Sequence, residues 1–108
     1  MGRDSLGEFE QLVLLAVARL GEQAYVVPIL EEIAARTGRE ATHAAVYVAL
    51  RRLEAKDLVA SRLGEPTAER GGRAKRFFSL EPAAIRRMRE SRDALLSMWD
   101  GVDEGLSR

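Results

Sequence analysis

The sequence predicts a mainly α-helical fold with one two-stranded β-ribbon, and three observations support this prediction. Apolar residues recur at helical spacing in three segments before residue 57 and again after residue 82. Two short runs, residues 58–61 and 74–80, lie between these segments, and the second alternates in the manner of a strand. The loop of residues 63–73 contains Pro66 and the pair Gly71 and Gly72, which interrupt regular structure and favour a hairpin tip.

The composition limits the chain to one small domain with an additional helix. Its 108 residues include 17 cationic and 17 anionic side chains, so the formal net charge is zero. The absence of cysteine excludes disulfides and thiolate metal sites, and neither a cofactor nor a metal ion is expected. No apolar stretch reaches the roughly 20 residues that a membrane span requires. We therefore expect a cytoplasmic protein without a membrane partner.

The first helix is predicted for residues 5–20. Ser5 is the expected N-cap, Glu8 follows at the spacing of a capping box, and Gly21 ends the helix. The middle of this helix is apolar almost all the way round, so one side should pack on its own domain and another on a second partner. We assign Leu12 and Leu15 to that second contact.

The second and third helices are joined by a short turn. The second is predicted for residues 27–36, with Pro28 in its first turn and Gly38 as a left-handed cap after its end. Thr42 is the expected N-cap of the third helix, residues 43–56, and Asp57 follows at a cap position that suits Gly better. The buried stripe of the third helix is expected to consist of Ala45, Val46, Ala49, Leu50 and Leu53.

Helices joined in this way and followed by a two-stranded ribbon form a winged helix-turn-helix, which we predict for residues 1–80. Pro82 then opens a last helix that is predicted to run to about residue 104. Residues 81–108 are assigned to dimerisation, because apolar side chains recur along this helix at alternating intervals of three and four. The alternative is that the helix folds back on its own domain. The residues of this seam are Ile85, Met88, Arg92, Leu95, Trp99, Val102 and Leu106, and Arg92 is its one charged interruption.

The only tryptophan of the chain, Trp99, lies on this seam and has two interpretations. As a packing anchor, it stabilises the dimer. As the flat wall of a pocket at the dimer interface, together with Leu95, it stacks on a small aromatic effector. The sequence alone leaves both interpretations open.

Positive charge is concentrated in the middle of the chain. Residues 36–76 contain ten cationic and five anionic side chains, whereas residues 1–35 contain two and six. Four of these cations, Arg70, Arg73, Lys75 and Arg76, surround the two glycines of the predicted hairpin tip. A basic hairpin of this kind can grip nucleic-acid phosphates. The alternative is a solvated turn whose charges only maintain solubility.

These segments together resemble the PadR-type transcriptional regulators over about residues 5–102. The most diagnostic part runs from Arg70-Gly71-Gly72-Arg73 to Lys75-Arg76-Phe77-Phe78. Shorter matches precede it in the same order, at residues 6–10, 13–17, 20–21, 24–25, 37–38, 45–47, 50–54 and 58–59. The chain departs from the family pattern at three turn or cap positions, which are Val26, Asp57 and Glu81.

The resemblance implies a homodimeric bacterial repressor that binds double-stranded DNA at a palindromic operator. In that family the third helix enters the major groove and the wing contacts the DNA backbone or the minor groove. Some relatives respond to phenolic acids or planar drugs held between paired tryptophans, and Trp99 is the candidate equivalent. The residues assigned to DNA are Thr42, His43, Tyr47, Arg51, Arg52, Arg70, Arg73, Lys75 and Arg76.

Different roles are expected within this set. Thr42 and the N-terminus of its helix would bind a phosphate, as would the arginines and Lys75. His43 would reach a base edge, the alternative being a surface histidine without a role. Tyr47 would reach a phosphate, the alternative being a half-buried core residue. The leading turn is otherwise rich in alanine, so we expect sequence discrimination to use few direct base contacts together with DNA shape.

Catalysis is not expected, because the sequence has one histidine, no cysteine and no glycine-rich loop of nucleotide-binding spacing. Two other functions remain open for the same fold. One is a winged-helix module that binds protein, with a basic loop that is merely solvated. The other is an architectural DNA binder or double-stranded RNA binder without an operator.

Overall fold

The computed structural model describes residues 6–65 and 74–106, and its elements follow the predicted order. A 3₁₀ turn, Gly21–Gln23, which the sequence did not predict, links the first two helices. The described part is mostly helical with one two-stranded antiparallel sheet, as the winged helix-turn-helix prediction requires. The elements are α1 (Glu8–Leu20), α2 (Val26–Thr37), α3 (His43–Ala55), β1 (Val59–Leu63), β2 (Arg76–Leu80), α4 (Pro82–Trp99) and α5 (Val102–Leu106).

Helix α1 begins later than the sequence predicted. Its N-cap is Gly7, whose N–H donates to the Glu10 carboxylate at 3.2 Å. The capping interaction therefore uses the pair Gly7 and Glu10 in place of Ser5 and Glu8, a shift of two residues. Ser5 itself lies outside the described residues. A carboxylate three residues after the cap is the common requirement, and Glu10 meets it as well as Glu8.

The caps of α2 and α3 agree with the sequence. Gly38 closes α2 in the left-handed region, with φ of 74°. The Thr42 hydroxyl accepts a hydrogen bond from the Ala45 N–H at 3.0 Å and so satisfies a free donor of the first turn of α3. Asp57 has φ of 62°, so an aspartate occupies the left-handed position after α3 that Gly would occupy without strain.

One hydrophobic core joins the three helices, the ribbon and the start of α4. Its members from α1 and α2 include Val13, Leu14, Ile29 and Ile33, all of which are buried. The stripe of α3 is buried as predicted except for Ala45, which is exposed because it lies at the edge of the face that the other four residues define. The rest of the core consists of Ala16, Val17, Ala24, Val26, Val46, Ala49, Leu50, Leu53, Leu58, Val59, Phe78 and Ala84.

The ribbon is fixed to this core through its second strand. Strand β1 pairs antiparallel with β2, with Val59 opposite Leu80 and Leu63 opposite Arg76, so β1 extends two residues beyond its prediction. The N–H of the buried Phe78 donates to the carbonyl of Ala24 at 2.8 Å, which ties β2 to the end of the 3₁₀ turn. The direction of the ribbon relative to α3 is therefore set by the core.

The C-terminal segment is two helices, and the prediction of one helix to residue 104 is wrong. Helix α4 ends at Trp99, and Gly101 has φ of 81°, a conformation that breaks the helix before α5. Ala84 is buried in the core, and Met88 packs against it. All residues from 92 to 106 are exposed in the single chain. The predicted seam is therefore divided, since Val102 and Leu106 lie on α5.

Helices α1 and α4 form an open apolar groove of about 570 Å³, lined in part by Leu15, Ile85, Met88 and Leu95. Leu15 is 50% exposed although it lies in the middle of α1, whereas Leu12 is half-buried against the core. The expectation that α1 has a second apolar side is thus met at Leu15.

The Thr42 cap generates a prediction for stability. Replacing Thr42 with Ala should lower the free energy of unfolding by about 1 kcal/mol, because the first turn of α3 loses its side-chain acceptor. Thr42→Ser, which keeps the hydroxyl, should stay within about 0.5 kcal/mol of the wild type. Urea denaturation at one fixed protein concentration measures both variants, and equal losses for Ala and Ser would contradict the capping role.

Candidate nucleic-acid interface

The outward face of α3 is the first part of the candidate site. The buried stripe of α3 packs on α1 and α2, which turns the opposite side of the helix to solvent. Thr42 and His43 are exposed at its N-terminus, and Tyr47, Arg51 and Arg52 are exposed along its length. Tyr47 is 39% exposed, so its alternative interpretation as a core residue is not favoured.

Thr42 and His43 lie where the helix dipole is positive. The Thr42 oxygen is engaged as a cap, but its O–H hydrogen can still donate to an anion. The free N–H groups of the first turn and the partial positive charge of the helix N-terminus favour a phosphate at this position. His43 stands beside them in solvent.

Tyr47 and Arg51 form one unit on this face. The Arg51 guanidinium donates from Nη1 to the Tyr47 hydroxyl at 3.2 Å, and its Cζ lies 5.9 Å from the centre of the tyrosine ring. The Nε of Arg51 faces the Glu54 carboxylate at 3.5 Å, one turn further along the helix. Arg51 is thus held between an aromatic ring and a carboxylate, both from its own helix.

The contacts continue from α3 onto the ribbon. The Ser61 hydroxyl on β1 donates to the second oxygen of Glu54 at 2.8 Å. Arg76 on β2 in turn donates from Nη1 to the Ser61 Oγ at 3.0 Å. A continuous chain of polar contacts therefore joins Tyr47 and Arg51 on the helix to Arg76 on the ribbon. We call these five residues, Tyr47, Arg51, Glu54, Ser61 and Arg76, the helix–wing network.

Lys75 lies on the opposite side of the ribbon from Arg76, as strand alternation requires. Its ammonium group is 3.3 Å from the Tyr25 hydroxyl and 4.5 Å from the centre of the Tyr25 ring. The Tyr25 ring meets Phe77 edge to face at 5.4 Å, and Arg62 stacks over Phe77 at 4.9 Å. The structure therefore separates Lys75 from the helix–wing network and places it against the start of α2.

Arg52 points in another direction from Arg51. It lines a broad open groove of about 900 Å³ between α3 and the N-terminus of α1. Val48, which is 47% exposed, lines the same groove together with Ala44 and Ala45. This side of α3 therefore exposes the methyl groups of the alanines and Val48, with the Arg52 guanidinium beside them.

Arg70 and Arg73 lie outside the described residues. Sequence reasoning missed the roles of Glu54, Ser61 and Val48. For Ser61 a signal was available, since a small polar residue on the core-side face of a strand needs a polar partner.

Two arginines approach one carboxylate outside this face. Hydrogen bonds from Arg36 and Arg19 lower the pKa of the Glu32 carboxyl, which both guanidiniums approach at 2.8 Å. This carboxylate ties α1 to α2. Within residues 6–65 and 74–106, no group of His, Asp or Glu side chains could hold a metal ion. No helix in those ranges is long and apolar enough to cross a lipid bilayer.

Comparison with known proteins gives the family. The family model of the transcriptional regulator PadR-like family matches residues 14–90. Among curated proteins, no sequence matches the chain significantly.

Solved structures share the fold. A PadR family transcription regulator from Clostridium difficile R20291 has a TM-score of 0.75 at 16% identity, over 93% of this chain and 99% of the other. A PadR family regulator from Eggerthella lenta DSM 2243 has a TM-score of 0.68 at 26% identity, over 92% and 86% of the two chains. BpsR from Bordetella bronchiseptica, whose DNA binding is regulated by 6-hydroxynicotinic acid, has a TM-score of 0.62 at 20% identity, over 94% and 70%. Because the family match spans most of a chain with this fold and this exposed face, the protein belongs to the PadR-like family of DNA-binding transcriptional regulators.

Proposed function

We propose that the chain acts as a homodimeric repressor that binds a palindromic operator through two winged-helix heads. The observation that carries the DNA-binding surface is the helix–wing network, which joins the exposed face of α3 to the ribbon. In this proposal α3 enters the major groove with Thr42 and His43 leading. Arg51 and Arg76 bind phosphates on the adjoining backbone.

The remaining predicted contacts have separate positions in this scheme. Arg52 is proposed to bind phosphate on the other side of the groove, where Val48 and the alanines contact base edges or sugar. Arg70 and Arg73 are proposed to hold the tip of the wing to the backbone. Lys75, which contacts Tyr25, is proposed to bind a more distant phosphate only after releasing that contact. Such a protein acts in the cytoplasm of a bacterial cell, where the DNA lies, and needs no catalytic activity.

The proposed homodimer is supported by the exposed apolar surface at the C-terminus. Leu95, Met98 and Trp99 are each at least half exposed, which is costly for a chain that stays monomeric. The groove beside Leu15 continues this surface onto α1. Residues 1–80 are thus proposed as the reading head and residues 81–108 as the dimerisation segment, with the first turns of α4 also anchored in the core of the head. The dimer contacts proposed are Leu12, Leu15, Ile85, Met88, Leu95, Trp99 and Val102.

We also propose that a small aromatic effector binds beside Trp99 and releases the protein from DNA. Trp99 is 50% exposed on the same face as Leu95, so its indole can stack on a planar ligand. BpsR, which shares the fold, is regulated by 6-hydroxynicotinic acid, a planar aromatic acid of the chemistry that such a site would accept.

Selection of bound fragments from random genomic DNA tests the function. We expect enrichment of a short palindrome with half-sites one helical turn, about 34 Å, apart. If about six phosphates are neutralised, the affinity for that fragment should fall with salt at a log–log slope near −5. Broad recovery without a shared sequence would favour the architectural binder, and no recovery would favour the protein-binding module.

The dimer is tested by one substitution and a matched control. Leu95→Glu introduces a charge into the apolar face and should convert the dimer to monomer in sedimentation velocity, with a loss of operator affinity of at least about 100-fold because the heads no longer bind together. Ser97→Glu adds the same charge on the opposite side of α4 and should leave both properties unchanged. A wild-type monomer at micromolar concentration would contradict the dimer.

The effector site is tested by tryptophan fluorescence, since emission from the only tryptophan reports on Trp99 alone. Titration with phenolic acids and 6-hydroxynicotinic acid should quench or shift the emission and lower operator affinity at least about tenfold, the scale of a typical coupling free energy. Leu95→Ala should lower the affinity of the protein for these ligands. Unchanged emission and unchanged operator binding across the panel would leave Trp99 as a packing residue.

A further inference from the structure

Glu54 is a carboxylate on a surface that is proposed to bind DNA. It lies between two arginines that the proposed function assigns to DNA phosphates, and one third of its side chain is exposed on that face. A carboxylate near a phosphate backbone repels it, so simple electrostatics predicts that Glu54 weakens DNA binding. The contacts of this carboxylate indicate a different effect.

Both oxygens of Glu54 are in use, and they bind two different elements. One faces the Arg51 Nε at 3.5 Å, and the other accepts from the Ser61 hydroxyl at 2.8 Å. The Ser61 hydrogen is committed to Glu54, so its oxygen is free to accept from Arg76 at 3.0 Å. One carboxylate and one hydroxyl therefore fix two guanidiniums from separate parts of the head.

The fixed guanidiniums keep donors for a ligand. A guanidinium carries five N–H donors, and the hydrogen bonds above use one from Arg51 and one from Arg76, while the Nε of Arg51 pairs with Glu54 at 3.5 Å. Long side chains lose rotamer freedom when they bind, and a side chain that is already ordered avoids much of that cost. Both arginines are held in this way before any DNA is present.

We infer that Glu54 and Ser61 are positioning residues that order Arg51 and Arg76 as a joint clamp for the DNA backbone. The inference rests on the proposed function, because it assigns these arginines to phosphate. On this inference, the helix–wing network makes the ribbon and α3 contact the DNA backbone as one rigid unit. Neither Glu54 nor Ser61 touches the DNA in this scheme.

The test measures the affinity of purified full-length variants for a labelled mixed-sequence duplex of about 30 base pairs, which has room for two half-sites one turn apart. Phosphate contacts are independent of sequence, so this probe does not require the operator. Glu54→Gln should weaken binding about tenfold although it removes a negative charge, because the neutral amide cannot form the ion pair that orders Arg51 together with Tyr47. Glu40→Gln removes an exposed carboxylate from the turn before α3 and should leave binding unchanged or tighter.

A second pair of variants isolates the hydroxyl. Ser61→Ala should weaken binding about threefold to tenfold, while Ser61→Thr, which keeps the hydroxyl and suits a strand, should bind within about twofold of the wild type. Ser61→Ala should have a smaller effect in an Arg76→Gln background than in the wild type, because part of its effect in the wild type comes from the contact with that arginine. Thermal unfolding of each variant shows that the head is folded at the temperature of the binding assay.

The outcomes separate the inference from the proposed function. Tighter or unchanged binding by Glu54→Gln overturns the inference, as do additive effects of Ser61→Ala and Arg76→Gln or a failure of Ser61→Thr to preserve affinity. In these cases the wild type still binds the duplex and the proposed function stands. A wild-type protein that binds no duplex at low salt overturns the proposed function and the inference together.

Discussion

The structure depends on the burial of one face of α3. Leu50, Leu53 and Val46 are completely enclosed between α1, α2 and the ribbon, and each contributes about 2 kcal/mol by leaving water. A helix has only one orientation that buries these three residues together, so the direction of every exposed side chain on α3 follows from their packing. The surface proposed to contact DNA is thus oriented by side chains that lie in the core and are not part of that surface.

The ribbon is held to the same core by a different interaction. Phe78 is buried, and its N–H donates to the carbonyl of Ala24, so both its side chain and its backbone hold the second strand against the core. Strand alternation then sends Arg76 towards α3 and Lys75 towards α2. These two cations are adjacent in the sequence, but their side chains lie on opposite faces of the ribbon and contact different partners.

The single chain buries only the first part of its apolar C-terminal segment. The start of α4 is anchored through Ala84, whose side chain is completely buried. From residue 92 onward no residue of the described segment is buried, and several of these residues are large and apolar. The head therefore has a closed core, whereas the tail exposes a surface of the kind that a second chain covers. This contrast is the physical basis for the proposed dimer.

The sequence alone determined the order of elements, the fold class and the caps at Gly38, Thr42 and Asp57, because periodicity and backbone preference act over a few neighbouring residues. It could not determine the start of α1 or the break in the last helix. Both Glu8 and Glu10 can complete a cap, and a glycine within a helical pattern need not adopt positive φ. The partnership of Glu54, Ser61 and Arg76 was decided only by tertiary structure. These three residues come from a helix and two strands that are separated in the sequence. Their contacts depend on how the core orients each element, and a local sequence pattern does not predict that orientation.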